Sequence, residues 1–450
     1  MARHRSRVPL NVLLNGRLVG LLQRQPSGAI DFTYDSTWLT WEHALPVSLS
    51  LPLREDRFIG APVVAVFENL LPDNEQIRRR LAERVGAEGS DAYSLLAEVG
   101  RDCVGALQFL KDGTQPTPVG EVSGRPVSDK EIAAILLDLK RTPLGVDESD
   151  EFRISLAGAQ EKTALLKASD KWQVPHGTTA TTHIFKPEIG PLPNGIDLSQ
   201  SIENEHLCMR LTAGFGLPTA KTTMLEFDGK RALVVERFDR QWARDGRLLR
   251  LPQEDCCQAL SVPLARKYES HGGPGIRDIL RLLQGSDEPE ADQRLFIKAQ
   301  IVFWLLGATD GHAKNFSLFL LPGARFRLTP LYDVMSTQPY VDAGQLRHNK
   351  MKLAMAVGDK RHYVIDTIMP RHFVQTASTG GLPASLVRGI LEEIVRDADR
   401  AVESTVKELP KTFPEAIAAS IIDGLRRRLR LIGAWDEVEK KGSTVGNRGK

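Results

Sequence analysis

Residues 309–316 read TDGHAKNF, which sets a carboxylate at Asp310 and an amide at Asn315, and a second carboxylate, Asp333, follows within LTPLYDV. An acidic side chain beside a hydroxyl can orient it and accept its proton late in a transfer. A carboxylate and an amide carbonyl are hard oxygen ligands. Mg²⁺ keeps several of its waters, so one or two such groups suffice beside the phosphates it bridges. The three residues thus have the donor types that phosphoryl transfer from a nucleotide requires. The same letters also suit a plain helix end followed by an Asp-Gly turn, so the surrounding elements must decide.

Those elements favour the chemical reading. FIKAQIVFWLLGA, just before, is a long apolar helical run that ends at the Asp310 loop. FSLFLL and FRLTPLYD, just after, read as two short strands whose hairpin returns Asp333 towards Asp310. An Asp, an Asn five residues on and a later Asp is the order of catalytic and metal-holding groups in protein kinases.

Upstream segments fit the same order. FRISLAGAQEKTALL reads as strand, small-residue turn (Ala157, Gly158, Ala159) and strand. It is not a phosphate-binding G-x-x-x-x-G-K-[ST] loop, because the first glycine is missing and a strand follows instead of a helix. A small-residue turn between strands does suit a nucleotide flap, where backbone N–H groups must approach phosphates. THIFKPEI is a short strand bearing Lys186, and SQSIENEHLCMRLTAGFG is a helix opening at Ser199 with Glu203 and Glu205 in its first turns. A strand lysine followed by a helix glutamate is the order of the kinase ion pair, and either glutamate is a candidate. Two apolar strands, AKTTMLEF and RALVVERFDRQW, then lead to Glu236 and Phe238, where a hinge would read adenine.

Composition sets the bounds. The chain has 450 residues, so about two or three domains are expected. Its net charge of +2 gives no bulk argument for nucleic acid. No apolar run reaches the roughly 18–20 residues needed to span a bilayer, and the basic start lacks the core of a signal peptide. Cys103, Cys208, Cys256 and Cys257 have no metal-ligand spacing and read as buried thiols of a reducing, cytoplasmic compartment.

The opening region alternates apolar and polar residues around Asn15-Gly16, a hairpin signal. PVSLSLPL (46–53) reads as extended, 62–81 as helical with Pro72-Asp73 starting a second helix, and 91–110 as helix, Gly-Arg-Asp turn and strand. A Pro/Gly-rich stretch precedes the helix KEIAAILLDLKRT. LPQEDCCQALSV reads as helix, MKLAMAV as strand, and 367–436 as helices. Arg426, Arg427, Arg428 and Arg430 form a basic cluster whose ordinary meaning is a solvated face, with a DNA or acidic-partner contact as the alternative. The expected organisation is an α+β, protein-kinase-like two-lobed fold. It comprises an N-terminal β-rich subdomain (1–125), a nucleotide-binding lobe (126–253), an all-helical C-terminal lobe (254–436) and a disordered tail (437–450).

Typical protein kinases differ from this chain: there is no HRD, no DFG and no G-x-G-x-x-G. FRISLAGAQEKTALL, DLSQSIENE, VERFDR, LRLPQEDCCQ, KYESHGGPGI, GATDGHAKNFS and RLTPLYDV instead resemble HipA, the toxin kinase of HipA–HipB toxin–antitoxin systems. The resemblance runs from about Leu10 to Pro414 and includes FENLLPD and LAEVGRDCVGA. It implies an ATP- and Mg²⁺-dependent Ser/Thr protein kinase with Asp310 catalytic and Asn315 and Asp333 on the metal. It implies that Ala157, Gly158, Ala159, Gln160, Glu161 and Lys162 form the phosphate flap, with Lys186 also on phosphate. Glu236, Phe238, Gln253, His312 and Tyr332 would surround the nucleotide, and Ser155 would be the autophosphorylated serine whose modification expels the flap. It further implies a HipB-like helix-turn-helix antitoxin as partner, operator DNA reached mainly through that antitoxin, and glutamyl-tRNA synthetase as the protein substrate. The alternatives are a small-molecule kinase of the same superfamily and a nucleotide-binding corepressor without catalysis.

Overall fold

A computed structural model describes residues 8–114, 116–146 and 153–446, with side chains described through residue 435. The chain forms two compact units, each drawn from three separated stretches. The first comprises Met1–Glu188, Ala220–Lys267 and Ser317–Arg327; the second comprises Ile189–Thr219, Tyr268–Phe316 and Leu328–Lys450. Linear segments read from the sequence therefore interleave in space.

In the first unit, Asn15 and Gly16 both have positive φ (45° and 77°), the backbone that a two-residue hairpin turn needs. They join Leu10–Leu14 to Arg17–Arg24 in an antiparallel five-stranded sheet completed by Ile30–Tyr34, Phe58–Ile59 and Leu107–Lys111. Phe67, on the helix Ala61–Glu68, packs between Phe32 and Phe109 of that sheet, with ring centroids 5.6 and 5.5 Å away.

A six-stranded antiparallel sheet runs in the order Thr222–Phe227, Lys230–Glu236, His183–Pro187, Thr163–Ala168, Lys171–Pro175, Gly124–Pro126. The helix Asp129–Asp138, opened by a Ser128/Glu131 capping box, lays Ile132, Ala133 and Leu136 on Leu165, Phe185, Phe227, Ala232 and Val234. Each fully buried large side chain contributes about 1.5–3 kcal/mol, so this contact fixes the strand that carries Lys186. A third sheet joins Gln253–Asp255, Ser317–Leu321 and Arg325–Leu328.

The second unit is predominantly helical. Its principal helices are Ser201–Gly214, Ile276–Leu283, Pro289–Leu306, Pro370–Thr379, Ala384–Glu408 and Glu415–Gly446. Lys352–Val357 pairs with His362–Val364 as a short ribbon. Pro289–Leu306 is buried without interruption from Phe296 onward, so the long apolar run before Asp310 is a helix covered all round. Among the described residues no helix is long and apolar enough to cross a membrane.

Several expectations change. Residues 46–53 form only a Ser48–Leu51 bridge around a turn, because Pro46 and Pro52 deny the ladder its donors. Of the first strand expected in FRISLAG, Phe152 lies outside the described residues and the rest forms only a single parallel bridge, Ile154 to Asp102; the sheet strand begins at Thr163, after the flap. LPQEDCCQALSV splits into the strand Gln253–Asp255 and a one-turn helix, Cys256–Ala259, capped by Asp255. Glu415–Gly446 continues as helix into the stretch expected as a tail; residues 447–450 of that stretch lie outside the described residues.

Candidate active site

In the second unit, Gly307 (φ 68°) ends the helix Pro289–Leu306, and the Ala308 N–H returns to the Phe303 carbonyl at 2.8 Å. A Cβ at Gly307 would collide with Met351, so the stop is fixed by packing as well as by backbone conformation. Gly311 lies flat on the Phe303 ring; a Cβ there would sit 2.6 Å from Cδ2. The chain thus leaves a buried helix and turns tightly, placing Asp310 on a loop with its carboxylate more than half exposed.

Asn315 Nδ2 donates to the main-chain oxygen of Asp310 at 2.7 Å. With its nitrogen committed there, the amide presents Oδ1, the atom a hard cation needs. The Tyr268 hydroxyl donates to Asp310 Oδ1, and His312 Nε2 lies 3.9 Å from the same oxygen. The Tyr268 and His312 rings meet edge to face at 4.8 Å, which fixes both beside the carboxylate.

Asp333 is brought alongside by its neighbours on both flanks. The Tyr332 hydroxyl donates to the Lys314 carbonyl at 2.8 Å, and Ala308 and Ser336 form an antiparallel bridge. The Ser336 hydroxyl donates to the Leu306 carbonyl at 2.6 Å, and Thr337 N–H donates to Gly307 at 2.9 Å. Asn204, fully buried on Ser201–Gly214, holds Ser336 through both ends of its amide, at 2.8 and 2.9 Å. Asp333 itself sits at φ 60°, a left-handed conformation uncommon outside glycine and concentrated at functional positions. Its carboxylate oxygens and Asn315 Oδ1 are hard donors of the type Mg²⁺ takes beside its waters. Among the described residues no group of three or more His, Cys, Asp or Glu is placed to hold a metal ion by itself.

In the first unit, Ser155 is fully buried and its hydroxyl donates to the Leu70 carbonyl at 2.8 Å. Lys162 is buried and folds back, its ammonium 2.7 Å from the Ala157 carbonyl. Gly158 has φ 109°, and a Cβ there would overlap that ammonium. Ala159 is exposed, and Gln160 Nε2 donates to the Pro187 carbonyl at 2.9 Å, which ties the flap to the strand of Lys186. Glu161 pairs with Arg80 at 2.7 Å. Lys186 is buried in the sheet opposite Leu233.

Glu236 is exposed beside Lys221, its carboxylate 3.5 Å from that ammonium, while its N–H goes to the Lys221 carbonyl. Phe238 meets Phe319 edge-on at 5.9 Å, and Phe319 is the strand partner of Gln253. Gln253 is buried, and its Oε1 has no hydrogen-bond partner among the described residues, a polar atom awaiting a donor.

Three features escaped the sequence reading. The "Gly-Arg-Asp turn" and the strand end VERFDR meet: Asp102 accepts from Arg237, Arg240 and Arg250, and Asp239 accepts from Arg237 and lies 3.0 Å from Arg240, all essentially buried. The three guanidiniums hold the Asp102 carboxyl far below the usual carboxylate range, and burial beside its neighbours draws Arg240 down to about 10. The Asp102 carbonyl also accepts the Ser155 N–H at 2.9 Å. Next to Gln253, Glu254 is buried with Oε1 on the Leu49 N–H at 2.8 Å; burial pushes its pKa up to about 8. Finally, Arg428 of the basic cluster is buried, donating to the Leu305 carbonyl and to Gln338 at 2.9 Å each. Arg426, Arg427 and Arg430 alone remain exposed.

Comparison with known proteins gives consistent results. Residues 10–110 match the HipA N-terminal domain family and residues 154–402 the HipA-like C-terminal domain family. A Sinorhizobium fredii protein named "Putative kinase Y4mE" is 34% identical over 429 residues, covering 94% of this chain and 98% of that protein. The serine/threonine-protein kinase toxin HipA of Shewanella oneidensis is 28% identical over 429 residues, 91% and 92% of the two chains. A solved structure of Shewanella oneidensis HipA with HipB and operator DNA superposes with a TM-score of 0.78 at 25% identity, covering 94% of this chain and 98% of that one. Fold and relatives define a kinase. More narrowly, the chain belongs to the HipA-type serine/threonine-kinase toxin family.

Proposed function

We propose that the chain transfers the γ-phosphate of ATP to a serine or threonine of a protein, with Asp310 orienting the attacking hydroxyl. Asn315 and Asp333 would hold Mg²⁺, which would supply charge neutralisation at the phosphates when bound. Asn315 Nδ2 on the Asp310 carbonyl is the observation that carries this reading, because it couples the loop of the base to the amide oxygen offered to metal. Lys186 and the flap from Ala157 to Lys162 contact the phosphates. Glu236, Phe238, Gln253, His312 and Tyr332 contact the rest of the nucleotide, the unmatched Gln253 Oε1 accepting from an amino group.

Ser155 is the self-inactivating position. Its hydroxyl is buried on the Leu70 carbonyl, so phosphorylation requires the loop to come out first. A dianion cannot be reburied there without a cation, and the flap then stays displaced. In the cell the protein acts in the cytoplasm as the toxin of a pair. Its target is a translation component, with glutamyl-tRNA synthetase as the first candidate, and its phosphorylation arrests growth. It represses its own operon with a HipB-like antitoxin that carries the DNA contact. The Shewanella relative supports the antitoxin and operator, since its solved structure contains HipB and operator DNA.

The test is incubation of purified protein with ATP and Mg²⁺, followed by phosphosite mapping beside Asp310→Asn. Phosphate on Ser155 and on added synthetase in the wild type alone is the expected result. Equal labelling in both proteins removes Asp310 from the chemistry, and labelling of a metabolite but of no protein replaces the protein-kinase reading.

A further inference from the structure

The N-terminal region has no catalytic constellation of its own, yet the flap is fastened to it. The Asp73 N–H donates to the Gly158 carbonyl at 3.0 Å, and the Gly158 N–H donates back to Asp73 Oδ1 at 3.2 Å, forming a short parallel bridge at Pro72. The other carboxylate oxygen, Oδ2, takes the Lys267 ammonium at 2.7 Å. The Asp73 side chain is only 6% exposed and that of Lys267 14%.

We propose that Asp73 is the positioning residue that seats the phosphate flap, with Lys267 as its counter-charge; this rests on the flap reading given above. While Gly158 is docked, its N–H sits on Oδ1 and the Lys267 ammonium on Oδ2. When the flap leaves, Oδ1 loses its amide inside a largely dry pocket, and that loss opposes undocking. The same small region holds Ser155 on Leu70 and Glu161 on Arg80, so residues 70–80 grip the flap at its start, middle and end. Asp73 lies at the middle, on the glycine whose N–H must be presented in one direction. Its role is to position the flap rather than to act on the reacting atoms. Its effect is on how often the flap is in place, hence on ATP capture and on how readily Ser155 escapes.

The test is amide hydrogen exchange on full-length protein without nucleotide, followed in peptides covering 154–162 and 163–168, for wild type, Asp73→Ala and Lys267→Met. In both variants the flap peptide exchanges about tenfold faster while Thr163–Ala168 keeps its wild-type rate, as expected for loss of one charge-assisted anchor. The KM for ATP rises by about the same factor, with kcat at saturation nearly unchanged. Wild-type exchange of the flap peptide in Asp73→Ala overturns the proposal. So does uniform acceleration of both peptides in Lys267→Met, the milder change, since that is a merely structural effect. Protection of the wild-type flap by MgATP is scored separately. Its absence refutes the flap as a phosphate site, while the nucleotide-free rates still decide whether Asp73 seats it.

Discussion

Replacing Asp102 by Asn should be the most costly isosteric change in the first unit. Its carboxylate accepts from Arg240 Nη2 at 2.9 Å, Arg250 Nε at 3.0 Å, Arg237 Nη1 at 3.3 Å, and Thr181 through N–H and hydroxyl at 3.0 and 2.7 Å. Three arginines now face two aspartates, a local charge of +1; the variant leaves +2 and one carboxylate. Removing one partner of a buried ion pair costs about 3–5 kcal/mol. That is a large share of the roughly 5–15 kcal/mol that holds a typical protein folded. Adding Arg250→Met restores the +1 balance and should recover about 1–2 kcal/mol, a coupling expected of groups in contact. Urea unfolding at neutral pH, read from exchange of first-unit peptides, measures both. The Asp102 pKa is depressed by folding, so its contribution is complete above about pH 4 and lost only as the pH falls further; the neutral-pH result is insensitive to small pH errors. A loss below about 1 kcal/mol for Asp102→Asn, or no recovery in the double variant, refutes the cluster as a keystone.

Other outcomes are equally direct. Asp310→Asn should lower phosphoryl transfer by about 10²–10⁴ with an unchanged melting temperature, checked by labelled-ATP assay and calorimetry. Glu254 titrates near 8 in the fold against 4.5 when exposed, so its contribution to stability is full below about 4.5 and is lost as pH rises through about 8. Glu254→Gln should therefore gain a few kcal/mol relative to wild type between about pH 5 and pH 9 in urea titrations; a constant difference across that range disproves a buried proton. Gly307→Ala should cost about 1–3 kcal/mol, from positive φ and the collision with Met351, and show as a lowered denaturation midpoint.

What was legible in the sequence was local. Asn15-Gly16 announces its hairpin because both residues tolerate positive φ. TDGHAKN announces a loop because an apolar helical run stops at Gly307 and turn residues follow within a few positions. What failed was non-local. Asp102 read as a turn residue because its three arginines lie 135, 138 and 148 positions away. Arg428 read as solvated because charge pattern alone cannot reveal the Leu305 carbonyl beneath it. FRISLAG read as a strand because Ile154 and Leu156 alternate with polar Arg153 and Ser155, yet their backbone partner is Asp102 in a bridge rather than a sheet neighbour. Asn204 carries no signal at all until Ser336 is placed against it.

The strand Ser317–Leu321 pairs with Gln253–Asp255 and belongs to the first unit, although the whole Tyr268–Phe316 stretch of the second lies between them. During synthesis the first unit cannot complete its folding when residue 267 emerges. It must wait for Arg327, while the intervening residues are already competing for partners. Domains fold as units as they leave the ribosome, and contacts between distant residues form slowly. A nascent or prematurely terminated chain therefore lacks the three-stranded sheet of the first unit until nearly three-quarters of the chain has been made, although the six-stranded sheet that carries Lys186 is complete by Glu236. The interleaving thus ties completion of the first unit to a late point in synthesis.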